Sequence, residues 1–192
     1  MALAAAVATI ASAQTGADPS SSAIRDPRDG QRYDVVAIGG REWLARNLAF
    51  DARPSWCYGD QPAGCEGHGR LYQWDTAVKA CPAGWRLPTD RDWMDLEAAL
   101  GMPAGDLGRE GPRGSDQGAQ LRARGRTRLE ILISGYRRPA GDYARRNERA
   151  AFWTATESNA EDAWHRDIRS DVDTIYRSPV TKSYALSVRC IR

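Results

Sequence analysis

The chain has 192 residues and a formal net charge of +2. That length suffices for one domain with a sizeable core plus a leader, and that charge is too small for a global field that would select nucleic acid. The cations are nearly all arginine, with lysine only at Lys79 and Lys182, and Trp and Tyr (7 each) outnumber Phe (2), a bias toward residues that bury large area and keep a polar handle.

Met1 to Ala13 is an apolar, alanine-rich run that ends in Ala11-Ser12-Ala13 before Gln14, a small-residue cleavage pattern. It is too short to span a bilayer, so residues 1–13 read as a signal peptide. No later stretch is apolar enough to cross a membrane. From Gln14 to Ile24 the chain is rich in Ser, Ala and Gly, and a flexible linker is expected over residues 14–30, with the folded domain over 31–192.

Tyr33 to Ile38 is strand-like, Gly39-Gly40 is a two-residue turn, and Arg41 to Leu48 returns, which is a hairpin pattern. Ala49 to Gly69 reads as an irregular loop that carries Cys57 and Cys65. Two helices follow. The first carries Ala77, Val78, Ala80 and Cys81, with Asp75 or Thr76 as its cap, and Pro82 and Gly84 stop it. Thr89 opens the second, with Asp92 three residues on as a short capping box. Trp93, Leu96 and Leu100 fall on one apolar stripe of that helix.

Gly101 to Arg128 looks least structured. Arg122, Arg124, Arg126 and Arg128 stand at alternate positions, and a strand would put them on one face as an anion-binding ridge. The plainer reading, a solvated loop balanced by Glu110, Asp116 and Glu130, is preferred. The last third reads as strands over Leu129–Arg137, Ala151–Glu157, Ala163–Ile168, Asp173–Arg177 and Ser183–Ile191. In the last of these Tyr184, Leu186, Val188 and Cys190 share a face, opposite Ala185, Ser187 and Arg189.

The four cysteines, Cys57, Cys65, Cys81 and Cys190, permit three pairings. Disulfides would imply an oxidising compartment. A zinc site is a weak alternative, because the spacing holds no CxxC or HxxxH and the histidines are His68 and His165.

Several long, ordered motifs carry a resemblance. They are Ile38-Gly39-Gly40-Arg41-Glu42-Trp43-Leu44-Ala45-Arg46-Asn47-Leu48, Trp56-Cys57-Tyr58, Gly69-Arg70-Leu71-Tyr72-Gln73-Trp74, Cys81-Pro82-Ala83-Gly84-Trp85-Arg86-Leu87-Pro88, Gly135-Tyr136-Arg137, Phe152-Trp153-Thr154-Ala155-Thr156-Glu157 and Ser187-Val188-Arg189-Cys190. Together they resemble the Fibrobacter succinogenes major paralogous domain, and more broadly the C-type lectin-like fold. The resemblance implies an α+β domain of two helices packed on a small, mostly antiparallel, twisted sheet with long loops. It also implies a Cys81–Cys190 bond, which leaves Cys57 with Cys65. In a chain-entropy account the long loop would contribute about 4–5 kcal/mol and the short one about 2–3.

No established activity comes with the resemblance. The expected function is a non-catalytic, secreted, periplasmic or cell-surface binding module, monomeric, with a glycan or envelope protein as ligand. No nucleic-acid partner, cofactor or metal is expected. The calcium triplets of sugar-binding C-type lectins are absent, and the cysteines are better used in disulfides than as the reactive thiols of formylglycine-generating enzymes. The late loops hold the expected contacts: Arg137, Arg138, Tyr143, Arg145, Glu157, Asn159, Asp162 and His165, because loops on a rigid scaffold concentrate binding residues. An extracellular hydrolase acting through His165 and nearby carboxylates is the alternative, since Asp167 shares a strand face with His165. A structural envelope protein is the third reading.

Overall fold

The computed structural model describes residues 22–192; the expected signal peptide and the start of the linker lie outside the described residues. β1 (Ala23–Arg25), β2 (Arg32–Ile38) and β3 (Arg41–Leu44) form a three-stranded antiparallel sheet. Gly39 and Gly40 both take positive φ, 61° and 72°, the left-handed pair that a two-residue hairpin turn requires. β1 falls within the span expected to be linker. Its following turn is fixed because Arg28 pairs with buried Asp26 at 2.7 Å and donates to the Ala80 carbonyl at 2.9 Å.

The remaining elements are β4 (Ser55–Trp56), β5 (Leu71–Gln73), α1 (Trp74–Ala80), α2 (Asp90–Ala99), α3 (Ala104–Leu107), β6 (Gly111–Arg113), α4 (Gln117–Leu121), β7 (Tyr136–Arg137), β8 (Tyr143–Ala144), β9 (Arg149–Glu157), β10 (Asp162–Arg169), β11 (Ile175–Thr181) and β12 (Ala185–Ser187). A nine-stranded sheet runs β4-β5-β12-β9-β10-β11-β6, with β7 bridging β12 and β8. Its ladders are antiparallel except for β12 beside β9. The fold is therefore mixed α and β with mostly antiparallel strands, as expected, but with four α-helices among the described residues rather than two and a larger sheet.

Several boundaries differ from the sequence expectation. α1 starts at Trp74, ahead of the expected Asp75 or Thr76 cap, since Trp74 continues directly from β5 and its indole donates to the Thr154 carbonyl at 2.8 Å. The Gly101–Arg128 stretch is not structureless; it holds α3, β6 and α4. The four alternate arginines do not share a strand face. Arg124 and Arg128 take φ of 66° and 60°, while Arg122 donates inward to the carbonyls of Arg169 and Val172 at 2.8 and 2.7 Å. Positive φ at Glu130 (49°) likewise breaks the expected Leu129–Arg137 strand, of which β7 alone forms.

The expected capping box is present: the Thr89 hydroxyl accepts from the Asp92 N–H at 3.1 Å, and the Asp92 carboxylate accepts from the Thr89 N–H at 2.7 Å. Trp93 and Leu96 are buried, and Leu100 packs at the edge of their cluster. β9 divides the core by the strand period. Ala151 and Trp153 enter a cluster with Tyr33, Leu48, Tyr72 and Trp85; Ala150 and Phe152 enter a second with Trp43, Trp93, Leu96 and Ile175. Cys57 bonds Cys65, and Cys81 bonds Cys190, which ties the end of α1 to the C-terminal segment.

Buried charge holds these layers in register. On α2, Asp90 takes Arg166 of β10 at 2.6 Å and Arg177 of β11 at 2.8 Å, and Glu97 takes Arg166 and Arg113, each at 2.7 Å. Burial alone would raise the Asp90 carboxyl, but the two guanidiniums outweigh it and hold it below its ordinary value. Arg189 is buried on the face expected to oppose the apolar set. It donates to the carbonyls of Leu44 and Leu129 at 3.0 and 2.6 Å and to Asn47 Oδ1 at 2.7 Å. Burial pushes its guanidinium down to about 9, so it stays protonated at neutral pH.

Arg189→Met leaves the Asn47 and Leu129 acceptors bare. At roughly 1–3 kcal/mol for each stranded group, stability in urea unfolding should fall by about 2–6 kcal/mol; an unchanged midpoint would refute the role given to Arg189. Acid tests α2. Burial would raise the Asp92 carboxyl, yet Arg86 at 2.6 Å and Thr89 hold it at about 2 against an ordinary 3.8. The stabilisation is complete above the unfolded value and is lost as pH falls through the folded one. The stability gap between wild type and Asp92→Asn should therefore close between about pH 5 and about pH 2.

Candidate functional site

With Arg166 drawn down to α2, the pleat sends its neighbours His165 and Asp167 to the opposite face of β10. There the antiparallel register sets His165 against Ser178, Asp167 against Tyr176 and Ala151, and Arg169 against Arg149. These residues floor a cleft of about 200 Å³. Its wall is a pair of tyrosines, Tyr136 at the start of β7 and Tyr184 just before β12, with ring centroids 5.9 Å apart at 54°. Arg137 opposite Ala185 in the β7–β12 ladder sets their spacing. Gly135 allows the approach: its φ is 71°, and a Cβ there would meet the Ala144 carbonyl and the Tyr58 ring at 2.6 Å.

The polar groups in the cleft are only partly satisfied. The imidazole Nδ1 of His165 lies 2.7 Å from the Ser178 carbonyl. A carbonyl only accepts, so Nδ1 carries the hydrogen and Nε2 is the nitrogen turned to Asp167 Oδ2, 3.7 Å away. Arg149 reaches the same Oδ2 at 3.2 Å. Asp167 Oδ1 has no hydrogen-bond partner among the described residues, although the side chain is 4 % exposed. Arg169 lays its guanidinium 3.5 Å from the Tyr176 ring centroid, and its Nε is likewise buried without a partner. An acceptor and a cation, each with unused capacity, thus face one half-buried aromatic wall. Arg149 and Arg169 also line an adjoining groove with Arg145, Glu148, Ser170 and Asp171.

Of the contacts expected from sequence, His165 stands in this cleft. Arg145 lines the adjoining groove and pairs with Glu148 at 2.6 Å. Arg137 packs over Trp56 at 4.3 Å and Tyr143 at 5.7 Å, while Tyr143 donates to Asp60 and Arg138 pairs with Asp142 across the β7–β8 turn. Glu157 pairs with Lys182 at 3.2 Å, and Asn159 bonds Asp162 at 3.0 Å in the β9–β10 turn. These residues thus fall into a β7–β8 group, a β9–β10 turn group and the cleft. Tyr136, Arg149, Arg169, Tyr176 and Tyr184 were not among them. The odd-number pattern His165, Asp167, Arg169 was visible in the sequence; the register that adds Arg149 and Tyr176 was not.

Among the described residues, no group of three or more His, Cys, Asp or Glu side chains is placed to hold a metal ion, and no helix is long and apolar enough to cross a membrane. A family model described as the Fibrobacter succinogenes major domain matches residues 36–192. No curated protein and no solved structure matches the chain.

The cleft geometry fixes a tautomer that nitrogen NMR reads directly. The His165 ring should show its hydrogen on Nδ1, in slow exchange through the Ser178 carbonyl; a bare Nδ1 with the hydrogen on Nε2 would contradict the arrangement.

Proposed function

The chain belongs to the Fibrobacter succinogenes major domain family, and we propose that it is a non-catalytic binding module of the cell exterior or envelope that takes a glycan in the His165–Asp167 cleft. The two disulfides suit an oxidising compartment. The scaffold we assign is C-type lectin-like, on the strength of the Cys81–Cys190 bond that joins the end of the first helix to the C-terminal segment after β12. The observation that carries the binding role is Asp167 Oδ1, buried in a tyrosine-walled cleft without a donor. Leaving such an acceptor bare costs about 1–3 kcal/mol, and a ligand hydroxyl would supply the missing donor. Tyrosine faces suit the C–H surface of a sugar ring.

Convergence of His165, Asp167 and Arg149 favours a hydrolase as the second reading. Against it, no hydroxyl or thiol among the described residues is hydrogen-bonded to the His165 ring, whose one short contact is to the Ser178 carbonyl, so the imidazole has no nucleophile to activate.

The test is a glycan-array and envelope-fraction screen with wild type and Tyr184→Ala, run beside a turnover assay on every glycan retained. Retention that Tyr184→Ala weakens by about tenfold or more, with no product formed, is expected. Retention unaffected by Tyr184→Ala, or release of product, would overturn the assignment.

A further inference from the structure

Arg149 and Arg169 are direct partners across the β9–β10 ladder. Like charges set opposite each other on one sheet face repel, so their placement needs an anion nearby. Asp167 meets that need for Arg149 alone, at 3.2 Å. Arg169 has no carboxylate partner among the described residues; it rests on Tyr176 with its Nε buried and unbonded. The acids of the adjoining groove do not take its place, since Glu148 is held by Arg145 at 2.6 Å and Asp171 is exposed. The cleft therefore offers an unmatched cation beside an unmatched acceptor, Asp167 Oδ1.

Resting on the binding-module reading above, we propose that the cleft recognises a sugar ring carrying a carboxylate. The carboxylate would lie between Arg169 and Arg149, since guanidinium groups bind carboxylates through paired, charge-assisted hydrogen bonds. A ring hydroxyl donates to Asp167 Oδ1, and the ring face lies against Tyr136 and Tyr184. A cationic sugar is excluded by the two arginines. A neutral sugar satisfies Asp167 but leaves the arginine pair uncompensated. The volume sets the size: about 200 Å³ is below the roughly 300–1,000 Å³ of pockets for drug-sized ligands, so one ring fits the cleft. The adjoining groove, which shares Arg149 and Arg169, gives the rest of an acidic polymer a path away from it.

The experiment is an NMR titration of the purified full chain with D-glucuronate, D-glucose and inorganic phosphate, repeated on Arg169→Gln and Tyr184→Ala. Thermal unfolding confirms that each variant folds. Glucuronate should perturb His165, Tyr136 and Tyr184 and bind at least about tenfold tighter than glucose, the gain of a hydrogen bond to a charged group. Arg169→Gln should cost glucuronate at least about fivefold more affinity than it costs glucose, whereas Tyr184→Ala should weaken both sugars alike. Glucose binding as tightly as glucuronate, or phosphate alone competing equally with glucuronate, would overturn the acidic-sugar assignment and leave the binding module standing. If neither sugar perturbs the cleft while other glycans are retained through it, the acidic sugar alone is wrong. If no glycan reaches the cleft at all, both conclusions fall together.

Discussion

Arg166 is the residue on which the arrangement turns. Its guanidinium is bound on one side to Asp90 and on the other to Glu97, two positions a pair of helical turns apart on α2. Burying charge is costly unless every group is paired, so the helix and the strand can meet in only one register. That register also sets where Arg177 and Arg113 fall, because Arg177 shares Asp90 with Arg166 and Arg113 shares Glu97 with it. A slip of β10 by one residue would place His165 against α2 and Arg166 in the cleft, and would break the Arg166 pairs to Asp90 and Glu97. The same bonds that attach the helix to the sheet therefore decide which side chains face outward.

The two faces of the central strands have opposite duties. Toward α2 they carry ion pairs and the aromatic cluster of Trp43, Trp93 and Phe152, whose rings stand 5.2 and 5.8 Å apart, with Trp93 Nε1 and Arg113 Nε left without a hydrogen-bond partner among the described residues. Toward the tyrosine wall they carry groups whose bonding is incomplete. Native interiors leave few buried polar atoms unpaired; on this side the unpaired atoms, Asp167 Oδ1 and Arg169 Nε, belong to residues that line a cleft. Tyr136 and Tyr184 come from segments far apart in sequence, brought together by the β7–β12 pairing, so the wall exists only in the finished fold.

Local signals in the sequence were accurate where a short stretch decides the outcome alone. Gly39-Gly40 specified its turn, and Thr89 with Asp92 specified the start of α2. Strand existence in the last third was legible from alternation, and the disulfide pairing from resemblance. The buried ion network was not legible. Arg113, Arg166 and Arg177 look in sequence like any exposed arginine, and only the packing of α2 shows that they are interior. Arg189 was read as the far face of a strand, yet it is covered by the loop carrying Asn47 and by Leu129. The cleft was half legible: His165 and Asp167 follow from the strand period, whereas Arg149, Tyr176 and the tyrosine wall depend on cross-strand register that no single stretch encodes.

The bonds that close the domain span long distances along the chain: Arg189 to Asn47 across 142 residues and Cys81 to Cys190 across 109. The β2–β3 hairpin needs only its own turn. Contacts between distant segments must repay loop-closure entropy before they stabilise anything, so chains rich in them fold slowly. The hairpin and α2 can form early, while the arginine clasp and the long disulfide wait for the C-terminal segment to dock. Until it does, the Trp43 face and the edge of β9 are open to solvent and to neighbouring chains. Reaching the native state then becomes a race between C-terminal docking and aggregation.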